Sequence, residues 1–200
     1  MNSVFNGKII KKTKFKNLFV SSCPDDSGLS IGSALYVFNH VLNKKQRYFQ
    51  KHNYYGSSYS NNEVKKILDS YKIKYSYAGK NLSSIIAKSI SEGKIIGWFQ
   101  GKMEFGQRAL GNRSILGDPR INKNKDKINK IIKFRESYRP FAPAILSEYK
   151  NKFFDIDKKE TVNFMEKVFF IKKNMRSKIP AVSHIDGSGR LQTVDKKINP

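Results

Sequence analysis

Between Gly101 and Arg120 the chain reads GKMEFGQRALGNRSILGDPR, and this stretch is dense in side chains that can grip an anion. Lys102, Glu104, Arg108, Asn112, Arg113, Ser114, Asp118 and Arg120 lie on it, punctuated by Gly101, Gly106, Gly111 and Gly117. Glycines let a backbone turn sharply and approach a ligand closely. Guanidinium forks bind phosphate oxygens through paired hydrogen bonds and keep their charge at working pH. A second group follows at Lys133, Arg135, Glu136 and Arg139, so five of the eight arginines fall between Arg108 and Arg139. The chain otherwise prefers lysine, and a bias toward lysine does not produce an arginine cluster. These types at this spacing point to a pocket for a polyanion, with ATP or an acyl phosphate as the natural guest. The same residues also admit a structural role, in which pairs such as Arg113–Asp118 or Arg135–Glu104 hold the loops together. Neither the P-loop pattern nor the dinucleotide-binding glycine pattern is present.

The elements that must position these groups follow from periodicity and punctuation. A compact apolar strand at 94–100 delivers the loop, and 113–116 reads as another strand. The pattern predicts a helix over 124–134 with Ile128, Ile131 and Ile132 facing inward, ending before Pro140, and then an extended, buried run over 140–146. Trp98 and Phe99 read as core, whereas Phe105 and Phe141 adjoin the arginine loops and are candidates for stacking on a base. Upstream, a polar start leads to a strand around 17–20, a turn at Pro24 to Gly28, and a helix carrying Leu29, Ile31, Leu35, Val37, Phe38, Val41 and Leu42. Residues 49–60 read as a linker. Ser60 with Glu63 forms a capping-box pattern for a helix to about Tyr71. A strand is expected at 73–77 and a helix over 81–92 stopped by Gly93. This alternation argues for an α/β (α+β) fold, a twisted mixed sheet flanked by helices.

Composition bounds the rest. Two hundred residues, 38% hydrophobic, suit one large domain or a domain with a fragment of another. The net charge of +23 is spread over scattered lysines, which reads as a solvated surface, although it also fits a nucleic-acid footprint. No apolar run is long enough to span a membrane, and the start MNSVFNGKIIKK lacks the apolar core of a signal peptide. A single cysteine, Cys23, reads as a buried filler and suits a reducing cytoplasm.

The string GWFQGKMEFGQRALGNRSILGDPR closely resembles the signature of the bacterial O-carbamoyltransferases that modify nodulation factors, antibiotics and related metabolites. KFRESYRPFAPAIL, HIDGSGRLQTVDKKINP and, upstream, PDDSGLSIGSALY resemble other blocks of that family, in family order. Gln107 stands where the family usually has proline.

The resemblance implies a two-part enzyme. An actin-like (ASKHA-type) domain with a metal, iron or another divalent ion, transfers a carbamoyl group to a hydroxyl. A smaller domain resembling threonylcarbamoyl-adenylate synthases (YrdC-like) makes carbamoyl-adenylate from ATP and carbamoyl phosphate. On this reading residues 1–48 are the tail of the larger domain and 61–200 the smaller one, truncated at both ends. A separate chain carrying the rest of the actin-like domain is then an expected partner, and a sugar or metabolite hydroxyl the expected acceptor. Asp26 falls at the family's acidic metal ligand, but the paired histidines are absent, and His40, His52 and His184 are isolated. The expected roles are Lys102, Arg108 and Arg113 on the reacting phosphates and Glu104 as an arginine's partner or a contact to the magnesium shell. Asn112, Ser114, Arg135, Arg139 and Arg190 are expected around the nucleotide, and Mg2+ on its phosphates. Asp186 and Arg190 would close over it or make a salt-bridged turn. Two other readings stand beside this one. One is a basic RNA-binding module, against which no aromatic–basic stacking pattern appears. The other is a non-catalytic half of a split protein.

Overall fold

Phe154, Ile156, Val162, Phe169, Ile171, Met175, Ile179, Val182 and Leu191 bury one another in one core, with Phe141, Ile145 and Phe153 packed against it. Each such side chain removed from water contributes on the order of 1.5–3 kcal/mol. All come from the chain beyond residue 140, so the C-terminal third is the rigid platform of the molecule. The computed structural model describes residues 2–199.

Seven α-helices and six short strands are formed among these residues. The helices are α1 (Ser3–Lys12), α2 (Ser27–Tyr36), α3 (Asn61–Ser70), α4 (Leu82–Ser91), α5 (Lys123–Lys127), α6 (Lys150–Phe153) and α7 (Lys173–Arg176). The strands are β1 (Ile96–Phe99), β2 (Arg113–Leu116), β3 (Ala144–Leu146), β4 (Val168–Phe170), β5 (Ser188–Arg190) and β6 (Gln192–Val194). They pair two by two into small sheets flanked by helices, in keeping with the mixed α/β class. β1 and β2 are antiparallel, with Ile96 opposite Leu116 and Phe99 opposite Arg113. β4 and β5 are antiparallel, with Val168 opposite Arg190, and β3 runs parallel to β6. The parallel pair ties the segment after the second arginine group to the end of the chain, across the core.

Local rules explain several elements directly. Ser60 Oγ accepts the Glu63 amide at 3.3 Å while the Glu63 carboxylate accepts the Ser60 amide at 2.8 Å, closing the capping box that starts α3. Gly93, at φ +85°, ends the turn after α4 in a conformation that other residues resist. The polar start is helical rather than irregular, because Asn2 Oδ1 caps α1 by accepting the Phe5 amide at 3.0 Å.

Other expectations change. Residues 17–20 and 73–77 form no strand: each run is short, and no strand lies beside it to complete a ladder. Phe99 is 50% exposed rather than core, tilted against Tyr59 with ring centroids 6.2 Å apart. Ile128 is buried but Ile131 is 63% exposed. The helix that α5 begins widens over Ile128–Ile132, where Lys133 N bonds Ile128 O across five residues at 2.9 Å, and the wider turn rotates the later isoleucines outward. Over 140–146 only Ala144–Leu146 is a strand, and Pro140 and Ala144 face solvent. The apolar stripes of α3 and α4 are real but bury no residue.

Residues 49–60 do not run free. Asn53 O accepts Phe105 N at 2.6 Å, Met103 O accepts Gly56 N at 2.9 Å, and Ser57 O accepts Met103 N at 2.9 Å. The segment is a strap laid along the start of the glycine-punctuated loop. Cys23 is buried beneath it, with Asn53 Nδ2 donating to its Sγ at 3.4 Å.

Candidate anion site

The loop between β1 and β2 is organised by one carboxylate. Glu104 is buried, and its Oε1 accepts the amides of Leu110 at 2.6 Å and Asn112 at 2.8 Å, while its Oε2 accepts Arg113 Nε at 2.9 Å. Burial pushes its pKa up, but these three donors outweigh burial and hold it below the usual carboxylate range. Asn112 completes the clamp. Its Nδ2 donates to Lys102 O at 2.7 Å, and its Oδ1 accepts from Asn199 at 3.0 Å and Gln100 at 3.3 Å. Ser114 Oγ accepts the Gly111 amide at 3.0 Å. The loop is thus closed at both ends, and Arg108 sits on the span that Glu104 holds.

Arg135 is positioned from the other side. Asn129, fully buried on the wide turn after α5, accepts Arg135 Nε at 2.7 Å. Its Nδ2 donates to the carbonyls of Arg139 at 2.9 Å and Ser137 at 3.3 Å. Beneath the guanidinium lies Phe141, its ring centroid 4.8 Å from Arg135 Cζ. A cation over an aromatic face is fixed without being neutralised. Phe141 therefore serves as the bed of an arginine. Phe105 is placed elsewhere, on an apolar cavity of about 880 Å³ between α2, the strap and residues 161–167.

Arg190 comes from β5. Burial, together with the charges of Arg108 and Arg135, lowers its pKa to about 10. Arg190 is thus placed near two other arginines, each from a different segment of the chain. Among the described residues none of the three takes part in an ion pair, and the buried Nε of Arg108 has no hydrogen-bond partner. The other arginines of the cluster are neutralised: Arg113 by Glu104, Arg120 by Asp118 at 2.6 Å, and Arg139 by Glu136 at 2.7 Å. The pairs Arg113–Asp118 and Arg135–Glu104 do not form. Lys102 is exposed at the mouth of the loop.

Arg190 lies just beyond a tight turn. Asp186 Oδ1 accepts Ser188 N at 2.9 Å and Ser188 Oγ at 2.6 Å, and Ser188 Oγ meets His184 Nδ1 at 3.0 Å. His184 Nε2 is buried without a partner. The turn is closed by serine and histidine rather than by an Asp186–Arg190 ion pair. Asn129 and His184 are the functional candidates that sequence reasoning missed. The signal for Asn129 was an amide beside the inward-facing isoleucines of the run INKII; His184 heads the HIDGSGR block but was read only as an isolated histidine.

Asp26 stands exposed at the start of α2 and makes no side-chain cap bond. Among the described residues no three His, Cys, Asp or Glu side chains gather as metal ligands. The residues present therefore do not fit a protein-built metal cage, and Asp26 has no companions. No helix among them is long and apolar enough to cross a membrane.

Residues 87–200 match the family model described as carbamoyltransferase C-terminus. Similarity to whole proteins extends over the full chain. Nodulation protein NolNO of Sinorhizobium fredii is 40% identical over 99% of this chain and 30% of its own length. Nodulation protein NolO of Bradyrhizobium diazoefficiens is 38% identical over 100% of this chain and 37% of its own. The 3'-hydroxymethylcephem-O-carbamoyltransferase of Streptomyces clavuligerus is 28% identical over 100% of this chain and 36% of its own. The chain spans about a third of the length of these curated relatives.

Proposed function

Because the chain belongs to the carbamoyltransferase family and carries its C-terminal domain, we propose that the arginine cluster binds carbamoyl phosphate and ATP and forms carbamoyl-adenylate. Family membership carries this reading, and it is supported by Arg108, Arg135 and Arg190, which lie outside every ion pair among the described residues while the first two act on the charge of the third. Neighbouring guanidiniums outside any ion pair repel one another, and a phosphate dianion relieves that repulsion while accepting from their free N–H groups.

In the proposed sequence water cleaves carbamoyl phosphate to carbamate and inorganic phosphate. A carbamate oxygen then attacks the α-phosphorus of ATP; the new P–O bond forms as the bond to pyrophosphate breaks. Neither step needs a covalent protein intermediate, so positioning and charge neutralisation supply the catalysis. Arg108, Arg135 and Arg190 hold the phosphate of the carbamoyl donor. Lys102, exposed at the loop mouth, and Arg139 are assigned to the nucleotide's triphosphate. Arg113, bound to Glu104 and donating to Gly106 O at 3.1 Å, fixes the loop beside the phosphates. Ser114 can still donate its hydroxyl proton. Magnesium arrives on the phosphates of ATP and keeps water as its other ligands, the usual habit of that ion.

We assign transfer to an acceptor hydroxyl to parts that the relatives carry outside the matched third, in the same chain or a partner chain, with residues 1–48 as the adjoining piece. The name of the Streptomyces relative specifies a hydroxymethyl acceptor for that protein.

ATP–pyrophosphate exchange tests the reading. The wild-type chain with magnesium should exchange label only when carbamoyl phosphate is added, and Arg108→Ala should lower the rate at least ~100-fold, as loss of one charge-stabilising donor does elsewhere. Exchange independent of carbamoyl phosphate, or unaffected in a folded Arg108→Ala protein, would refute it.

A further inference from the structure

The buried Leu110 peptide is held from three segments of the chain. Its amide donates to Glu104 Oε1 at 2.6 Å. Its carbonyl accepts Gln192 Nε2 at 2.9 Å, from β6, and the Tyr54 hydroxyl at 3.1 Å, from the strap. Both lone pairs of that oxygen are thus used. The Tyr54 oxygen in turn accepts Asn199 Nδ2 at 3.0 Å, so its one proton is free for Leu110. Burial raises the Tyr54 pKa above the ordinary tyrosine value, and the hydroxyl stays a donor at neutral pH. The strap delivers this hydroxyl from a fixed backbone. Asn53 O accepts Phe105 N at 2.6 Å and Met103 O accepts Gly56 N at 2.9 Å, one on either side of Tyr54. A Cβ at Gly56 would stand 3.0 Å from Met103 O, so glycine permits the close approach.

Arg108 stands two residues before Leu110. At the other end of its span Gly106 O accepts Arg113 Nη2 at 3.1 Å. Between these anchors residues 107–109 make no backbone hydrogen bond among the described residues. Gly106 and Gly111, at φ +89° and +120°, flank the span and restrain it little by themselves. The Arg108 side chain is not aimed by a partner either. Its buried Nε has none among the described residues, whereas Arg113 is aimed by Glu104 and Arg135 by Asn129. The direction of Arg108 is therefore set by the backbone that carries it, and that backbone by its anchors.

Resting on the reading of Arg108 as a ligand of the carbamoyl phosphate, we infer that Tyr54 is a positioning residue of that site: through the Leu110 carbonyl its hydroxyl sets the span from which Arg108 reaches the phosphate. The site then begins at the strap, upstream of residues 87–200 that match the family model. Tyr54 acts through Arg108 and touches no reacting atom. It restricts a charged side chain before the ligand arrives, so less order is lost on binding. A strap that merely covered the loop would need the tyrosine ring and not its hydroxyl.

A double-mutant cycle on the full chain tests this, with inorganic phosphate as the probe and calorimetry as the measurement. Tyr54→Phe keeps the ring and should weaken phosphate binding about five-fold or more, the scale of one hydrogen bond. In the Arg108→Ala background the same change should alter affinity by less than about two-fold, because the side chain it positions is gone. In the exchange assay Tyr54→Phe should raise KM for carbamoyl phosphate by a similar factor and leave KM for ATP within about two-fold. A folded Tyr54→Phe protein that binds phosphate as wild type does overturns the inference. So does a loss of equal size in both backgrounds, or an equal rise in both KM values, since general distortion of the loop gives those results. Should Tyr54→Phe fail to fold, Tyr54→Met, which also lacks the hydroxyl, is judged by the same criteria. If wild type does not bind phosphate, or Arg108→Ala binds it unchanged, the arginine reading has failed and the role of Tyr54 falls with it. A normal Arg108 effect with no coupling to Tyr54 means that only the tyrosine role is wrong.

Discussion

Three donors converge on the Glu104 carboxylate, and removing its charge leaves each of them poorly matched. In Glu104→Gln the side chain keeps its shape, but one acceptor oxygen becomes an NH2 group facing other donors. The expected cost is about 3 kcal/mol at pH 7, within the range for a buried charge-assisted network that loses one partner. Urea unfolding of the wild type and variant measures it, and equal midpoints at neutral pH would show that Glu104 does not organise the loop. The pH dependence has a definite sign. Because the folded-state pKa lies below the unfolded value, the contribution of Glu104 is fully present above about pH 4.3 and disappears as pH falls through the folded value. The gap between wild type and variant should therefore close only in acid. Sequence reasoning gave Glu104 an arginine partner and offered Arg135, whereas the structure gives it Arg113. Arg113 lies nine residues away and reaches Glu104 only because the β1–β2 pairing brings the ends of the loop together.

At the scale of elements, the wide turn after α5 connects the fold to the site. It buries Asn129, turns Ile131 outward, and lets one amide side chain hold Arg135 and the carbonyls of residues 137 and 139. Asn129→Ala should weaken inorganic phosphate binding by on the order of ten-fold, since Arg135 loses the bond that orients it while its charge remains. Calorimetry on a variant with native circular dichroism checks this, and unchanged affinity would assign Asn129 to folding alone. The periodicity of this stretch was legible but its face was not, because an inserted wide turn shifts which residues point inward without altering the composition. The capping box of α3, the β1 and β2 strands and the glycine stop after α4 were all readable, each being set by residues within a few positions of one another. The unpaired runs at 17–20 and 73–77 were not, since a strand exists only with a neighbour and sequence periodicity does not supply one. The sorting of the arginines was illegible for the same reason. Proximity in sequence suggested Arg113 with Asp118, whereas backbone geometry gave Asp118 to Arg120 and left Arg108, Arg135 and Arg190 outside the ion pairs of the described residues.

For the whole molecule, a net charge of +23 raises the question of whether anion binding is a property of the site or of the surface. The two respond differently to a ligand that neutralises the site. Burial and the charges of Arg108 and Arg135 lower the pKa of Arg190, and none of the three forms an ion pair among the described residues, so a bound anion is expected to relieve the site. Replacing Arg190 by methionine removes one of those charges and fills similar volume, so the ligand-free variant should be as stable as wild type or more so. Phosphate, by contrast, should stabilise wild type by about 2.7 kcal/mol at a hundredfold excess over its dissociation constant, through mass action alone. It should do almost nothing for Arg190→Met. Lys178→Gln, a neutralisation on the exposed surface, should keep the full phosphate response. Thermal melts of the three proteins across a phosphate series, at fixed ionic strength, separate these cases. If Lys178→Gln reduces the response as much as Arg190→Met, the stabilisation comes from the general positive field of the surface, and the arginine cluster has no privileged place in it. If only Arg190→Met abolishes it, the many lysines form a solvated exterior, and the chemistry of this chain resides in three arginines held by Glu104, Asn129 and the turn before β5.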